Sequence, residues 1–93
     1  MKSQWSKKAK KDLDRIYDYV CTHFSIELAV HIRNNLKEAA LNLEQFPELG
    51  RKIDGHFLKR YLILDGNVMI YEIVLNKTPM VIIRTIRARK ELL

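Results

Sequence analysis

The chain has 93 residues, 47% of them apolar and 30% charged, with a formal net charge of +6. That length gives one domain with a modest core, and the apolar runs fall far short of the roughly 20 residues that a membrane-spanning helix needs. Met1-Lys-Ser-Gln-Trp5 leads into lysines rather than an apolar signal segment, so the sequence reads as cytoplasmic with no membrane association. Cys21 is the lone cysteine, which excludes an internal disulfide; it reads as a small core residue in a reducing compartment. The charge is unevenly spread. Residues 2–11 hold five lysines and no acid, residues 12–50 hold seven acids against three basic groups, and residues 51–93 hold nine basic groups against four acids. Two basic ends about an acidic middle produce one positive face if the ends meet in space, and such a face attracts nucleic acid or an acidic protein segment.

In chain order, residues 2–5 are placed to add a short edge strand. Ala9, Leu13, Ile16, Tyr17, Val20 and Phe24 then recur at helical spacing, predicting a helix from about Ser6 to Thr22 with Ser6 as its N-cap. Asp12, Asp14 and Asp18 are read as polar-face positions of that helix. A second stripe, Ile32, Leu36, Ala39, Leu43 and Phe46, predicts a longer helix capped by Ser25 and stopped by Pro47. The short link between the two stripes implies an antiparallel helical hairpin.

Leu58–Leu64 and Val68–Leu75 are rich in β-branched and aromatic residues and flank Asp65-Gly66-Asn67, a hairpin turn. Met80–Ile86 follows as a third strand, with Pro79 just ahead of it. The resulting order is β-α-α-β-β-β, an α+β domain spanning 1–93 with the helical hairpin packed on one face of a small antiparallel sheet. On the strand after Gly66, Met69, Tyr71, Ile73 and Leu75 alternate with Val68, Ile70, Glu72 and Val74. Both sets are largely apolar, yet two helices can cover only one face. The second face, part apolar and part basic, has the character of a partner surface.

Little conventional catalytic apparatus is legible. His23, His31 and His56 lack Cys or acid partners at ligand spacing, no glycine-rich phosphate loop occurs, and no nucleophile elbow surrounds Ser3, Ser6 or Ser25. No metal or cofactor is therefore expected. The candidate functional groups are basic: Arg51 and Lys52 after Gly50, Lys59 and Arg60 beside Tyr61, and Arg84, Arg87 and Arg89 at the end. Regular alternation would point Arg84 away from Arg87, so the two can serve one site only if the last strand bulges.

Four motifs occur in order along the chain: Ala9-x-x-Asp12-Leu13-x-x-Ile16-x-x-Tyr19, Leu43-x-x-Phe46-Pro47-x-x-Gly50-Arg51, Val68-Met-Ile-Tyr71-Glu-Ile73 and Ile83-x-x-Ile86-x-Ala88-Arg89. Together they resemble the RelE/ParE superfamily of bacterial type II toxins. The resemblance implies the α+β fold and one of two activities. ParE-like members poison DNA gyrase and need no general base, whereas RelE-like members are metal-independent, ribosome-dependent mRNA endonucleases. Val68 stands where RelE-like chains carry an arginine, no Tyr or His follows Tyr71, and Arg87-Ala-Arg89 resembles a ParE-like pair, so the ParE-like branch is expected. On that reading Arg51, Lys59, Arg60, Arg84, Arg87 and Arg89 form the target surface. Tyr71, Val68, Ile70 and Ile82 receive a cognate antitoxin in a hetero-oligomer. If the chain is instead a ribonuclease acting on ribosome-bound mRNA, Lys59, Arg84 and Arg87 are the catalytic candidates.

Overall fold

A computed structural model describes residues 1–88. β1 (Lys2–Trp5) leads into α1 (Lys7–His23) and α2 (Ile26–Gln45), followed by β2 (Arg51–Ile53), β3 (His56–Leu64), β4 (Asn67–Val74) and β5 (Met80–Ala88). The α+β class and the helical hairpin are as expected from the sequence. Both helices begin at their expected caps: Ser6 Oγ accepts the Ala9 N–H and Ser25 Oγ accepts the Leu28 N–H, each at 3.0 Å.

The sheet departs from expectation in two ways. It has five strands, in the order β1-β5-β4-β3-β2, and β1 pairs parallel to β5, so the sheet is mixed rather than antiparallel. Arg51–Ile53, outside the strands expected from the sequence, forms the outer strand β2 through pairings of Arg51 with Tyr61 and Lys52 with Arg60. A three-residue strand gives almost no periodic signal; its order comes from its neighbour. The β3–β4 turn is the two-residue kind, with Asp65 at φ 49° and Gly66 at φ 77° between the paired Leu64 and Asn67. Two successive positive φ values suit the twist of the flanking strands.

The core lies between the helices and one face of the sheet. Ala9, Leu13, Ile16 and Val20 of α1 and Ala29, Leu36, Ala39, Ala40 and Leu43 of α2 meet Met69, Tyr71, Val81, Ile83 and Ile86 of β4 and β5. The buried alanines let the helices approach each other and the sheet closely. Leu62 and Leu64 of β3 pack against the same cluster, which sends the alternate residues Lys59, Tyr61 and Ile63 to the open face.

Tyr71 anchors the end of the helical hairpin to this core. It is fully buried, donates its hydroxyl to the Pro47 carbonyl at 2.7 Å and accepts the Gly50 N–H at 2.9 Å. Burial pushes its phenol upward in pKa, against the opposing effect of the Gly50 N–H, so it remains a neutral donor at physiological pH. Arg60 completes the clasp by donating to the Gly50 carbonyl at 2.8 Å and the Glu48 carbonyl at 3.3 Å. A β-carbon on Gly50 would stand 2.7 Å from the Tyr61 carbonyl oxygen and from the Tyr71 ring and hydroxyl. The Phe46-Pro47-x-x-Gly50 motif is therefore shaped by the approach of Tyr71. Gly50→Ala should destabilise the fold by about 1–3 kcal/mol through overpacking. Tyr71→Phe, which leaves the Gly50 N–H unpaired, should cost a similar ~1–3 kcal/mol. Chemical denaturation of the two variants checks both, and wild-type midpoints would remove Tyr71 from this anchoring role.

Candidate functional site

β1 covers the outer edge of β5 only as far as Ile83, paired with Trp5. There the chain turns into α1, and the helix with its N-cap takes over the edge. Ser6 donates its N–H to the Ile83 carbonyl at 3.0 Å and its hydroxyl to the Arg84 carbonyl at 2.9 Å. Asp12 Oδ2 accepts the Ile86 N–H at 3.0 Å and the Thr85 hydroxyl at 2.6 Å. Lys8 Nζ reaches Asp12 Oδ2 at 3.1 Å and the Thr85 hydroxyl at 2.9 Å, and Arg15 stands 3.9 Å from Asp12 Oδ1.

This edge coincides with a β-bulge. Tyr71 pairs with Ile83 and Met69 with Ile86, so the single residue Ile70 of β4 stands opposite both Arg84 and Thr85 of β5. Thr85 and Ile86 are consecutive and both buried, at 8% and 0% exposure, whereas Arg84 and Arg87 are both exposed. The slip restores Arg87 to the side of the sheet that carries Arg84. The condition set by the sequence, that the two arginines can share a face only across a bulge, is met.

The other basic candidates separate into two groups. Arg51 is exposed and in register with Tyr61, and Lys59 is half-buried and in register with Glu72; both lie on the open-face side of the alternation. Arg60 points the other way, into the loop it clasps, because it alternates with Tyr61 on one strand. Arg84 is engaged by Glu72, its Nε donating to the carboxylate at 2.8 Å. Arg51, Lys59 and Arg87 have no ion pair among the described residues. Arg89 lies outside those residues. The open face thus presents three uncommitted cations and one committed cation around Tyr61, Ile70 and Ile82, all half-buried. Phe57 stands at its β3 end, 83% exposed.

The apolar candidates need correction. Tyr71 lies on the helix side of the sheet with 0% exposure, and Val68 is buried at 3%, so neither offers a contact surface in this state. Only Ile70 and Ile82 of that set remain partly accessible. Asp12 is the reverse case. Expected on the polar face of α1, it is 7% exposed and central to the α1–β5 junction. Its spacing held the signal: three residues after Ala9 and four before Ile16 is inside the buried stripe, where an acid requires partners.

Burial disfavours the Asp12 carboxylate, but the Thr85 hydroxyl, the Ile86 N–H and Lys8 outweigh it and hold its pKa below the ordinary 3.8. Among the described residues, no group of three or more His, Cys, Asp or Glu side chains is arranged to hold a metal, and no helix is long and apolar enough to cross a membrane.

Comparison with known proteins agrees with this architecture. The family profile for the ParE toxin of the type II toxin–antitoxin system, parDE, matches residues 4–93. The chain belongs to the ParE toxin family. A solved structure of the chromosomal ParDE toxin–antitoxin system from P. aeruginosa superimposes with a TM-score of 0.75 at 26% identity, covering 95% of each chain. No curated protein sequence matches. The expected ParE-like branch of the RelE/ParE superfamily is thereby established, and with it the role of toxin in a type II pair, whose partner is an antitoxin.

The lowered pKa of Asp12 fixes the sign of one pH effect. The unfolded carboxyl binds its proton more readily than the folded one, so the stabilisation is complete above the unfolded value near 3.8 and is lost as pH falls through the lower folded value. Asp12→Ala should remove this contribution to acid unfolding and, by orphaning the Ile86 N–H and Thr85 hydroxyl, cost about 1–3 kcal/mol at neutral pH. Denaturant titrations at neutral pH and below pH 4 test it; an unchanged acid dependence in the variant would assign that dependence to other groups.

Proposed function

We propose that this ParE-family toxin acts in the cytoplasm on DNA gyrase, through the basic open face of its sheet. The observation that carries this reading is the group Arg51, Lys59 and Arg87, exposed or half-exposed and without ion pairs among the described residues. Surface cations without local partners contribute only about 0–1 kcal/mol each to folding, while an arginine desolvated at an interface contributes about 2 kcal/mol or more to binding. Arg89 extends the proposed surface by sequence. Arg84 belongs to it in a different manner, since a target must either share it with Glu72 or displace that pair.

Two features weigh against ribonuclease chemistry at Lys59, Arg84 and Arg87. General acid–base cleavage of RNA needs one group to take the 2′-hydroxyl proton and another to protonate the leaving oxygen. Tyr71 is buried on the helix side of the sheet and its hydroxyl is committed to Pro47 and Gly50, so it is not placed to serve these residues. Arg84 is committed to Glu72 and, as a guanidinium, is a poor proton acceptor.

The antitoxin is proposed to cover the same face as a folding-upon-binding segment. It would place apolar side chains on Ile70 and Ile82 and acidic ones over the basic rim, giving a hetero-oligomer in which the target surface is occluded.

Expression of the chain alone should arrest bacterial growth, and co-expression of its antitoxin should restore it. Purified toxin should inhibit gyrase on plasmid DNA. The double variant Arg87→Ala/Arg89→Ala should lose at least about 30-fold in gyrase inhibition, which corresponds to the ~2 kcal/mol of one interface anchor, with a nearly unchanged thermal midpoint. A translation reaction analysed by primer extension runs beside it. Codon-linked mRNA cleavage with gyrase untouched would replace this reading by the ribonuclease one.

A further inference from the structure

The open face depends on a residue that is not on it. We propose that Asp12 is a positioning residue of the toxic surface: its carboxylate holds the β5 bulge in the form that brings Arg84 and Arg87 onto one face. This rests on the reading that the basic open face contacts the target, and adds to it the part that sets the geometry of that face.

The argument begins with strand alternation. In an unbulged β5 the side chains of Arg84 and Arg87 would project to opposite faces, three residues being an odd number of steps. One of the two guanidinium groups would then be driven toward the helices. The extra residue opposite Ile70 removes that conflict. A bulge leaves backbone groups outside the ladder and needs something to satisfy them. Here α1 and its N-cap supply it: Ser6 takes up the Ile83 and Arg84 carbonyls, and Asp12 takes up the Ile86 N–H while binding the adjacent Thr85 hydroxyl. The Arg15 guanidinium reaches the Ile86 carbonyl at 3.5 Å. Among the described residues, Asp12 alone bonds both residues on the buried side of the slip, the Thr85 hydroxyl and the Ile86 N–H. Those two lie between the arginines in sequence, so their placement determines the direction of Arg87.

A purely stabilising role makes a different prediction from a positioning one. Asp12→Ala and Asp12→Asn are compared with Ile16→Val, a core control on the same helix, with all measurements made well below the unfolding midpoint of the weakest variant. Asp12→Ala should lose gyrase inhibition at least tenfold, whereas the core control stays at wild-type potency. Asp12→Asn keeps one acceptor oxygen for the Ile86 N–H and should fall between them. In a double-mutant cycle, Arg87→Ala should cost several-fold less in the Asp12→Ala background than in the wild type, because Arg87 is already misplaced there. Amide hydrogen exchange at Ile86 should quicken in Asp12→Ala far more than exchange at Val81 on the same strand.

Full potency of folded Asp12→Ala, or strictly additive losses in the cycle, would overturn the inference while leaving the surface assignment in place. A fully potent Arg87→Ala would instead overturn the surface assignment itself, and the positioning role with it. If Asp12→Ala does not fold, Asp12→Asn carries the same comparison, and its equality with wild type in both potency and Ile86 exchange would equally overturn the inference.

Discussion

The structure depends on how the outer edge of β5 is satisfied after β1 has ended. β1 is four residues long, and beyond Ile83 a row of β5 backbone groups faces α1 instead of a strand. An unpaired edge in a buried junction would cost the desolvation of each orphaned group. Ser6, Asp12 and Arg15 follow one another along the chain that leaves β1, and each meets a further backbone group along β5. The helix N-cap, the helix–sheet packing and the register of the last strand are thus one connected arrangement. Ser6 serves twice, accepting the Ala9 N–H while donating to Arg84.

The opposite end of the sheet is held by different means. Tyr71 crosses from β4 to the loop after α2, and its hydroxyl fills the space between the Pro47 carbonyl and the Gly50 N–H. Arg60 reaches the same loop from β3. With Gly50 fixed, Arg51 and Lys52 are delivered beside Tyr61 and Arg60, which is enough to order a strand too short to be stable alone. The two anchors differ in kind: an ionised carboxylate at the α1 end and a neutral phenol at the α2 end. They share a consequence, since each one sets which basic side chain appears on the open face, Arg87 at one end and Arg51 at the other.

Much of the fold was legible because its signals are local. Ser6 and Ser25 mark helix starts by hydrogen-bonding chemistry, Asp65-Gly66 marks a turn by backbone freedom, and the stripes of α1 and α2 mark buried faces by period. What was not legible depends on contacts far apart in sequence. The parallel pairing of Lys2–Trp5 with β5, the ordering of Arg51–Ile53 and the inward direction of Arg60 each arise from a neighbour that periodicity does not identify. The same holds for the site. Alternation gave the condition for Arg84 and Arg87 to meet, but the groups that bond the strand beside the bulge, Ser6 and Asp12, come from a distant part of the chain. Tyr71 differs for a plainer reason: it alternates with Val68 and Ile70 along β4, so its side chain lies on the helix side of the sheet, at 0% exposure.

Electrostatics gives these placements a common sense. α1 opens with Lys7, Lys8, Lys10 and Lys11 and has no acid in its first turn, so its lysines oppose the positive end of the helix dipole. The two basic ends of the chain do meet, through the pairing of β1 with β5 and the reach of Lys8 to Thr85. Folding stability alone would favour the opposite arrangement, with acids at the start of α1 and paired charges on the sheet. Glu72 neutralises Arg84, and Asp12 attracts Lys8 and Arg15, but Arg51, Lys59 and Arg87 gain no such compensation among the described residues. A partner that brings anionic groups relieves this repulsion at several positions at once. The same uncompensated field would therefore speed encounter with either an acidic antitoxin or the toxin's target and make the two compete for one face, with the strength of both contacts falling as salt rises.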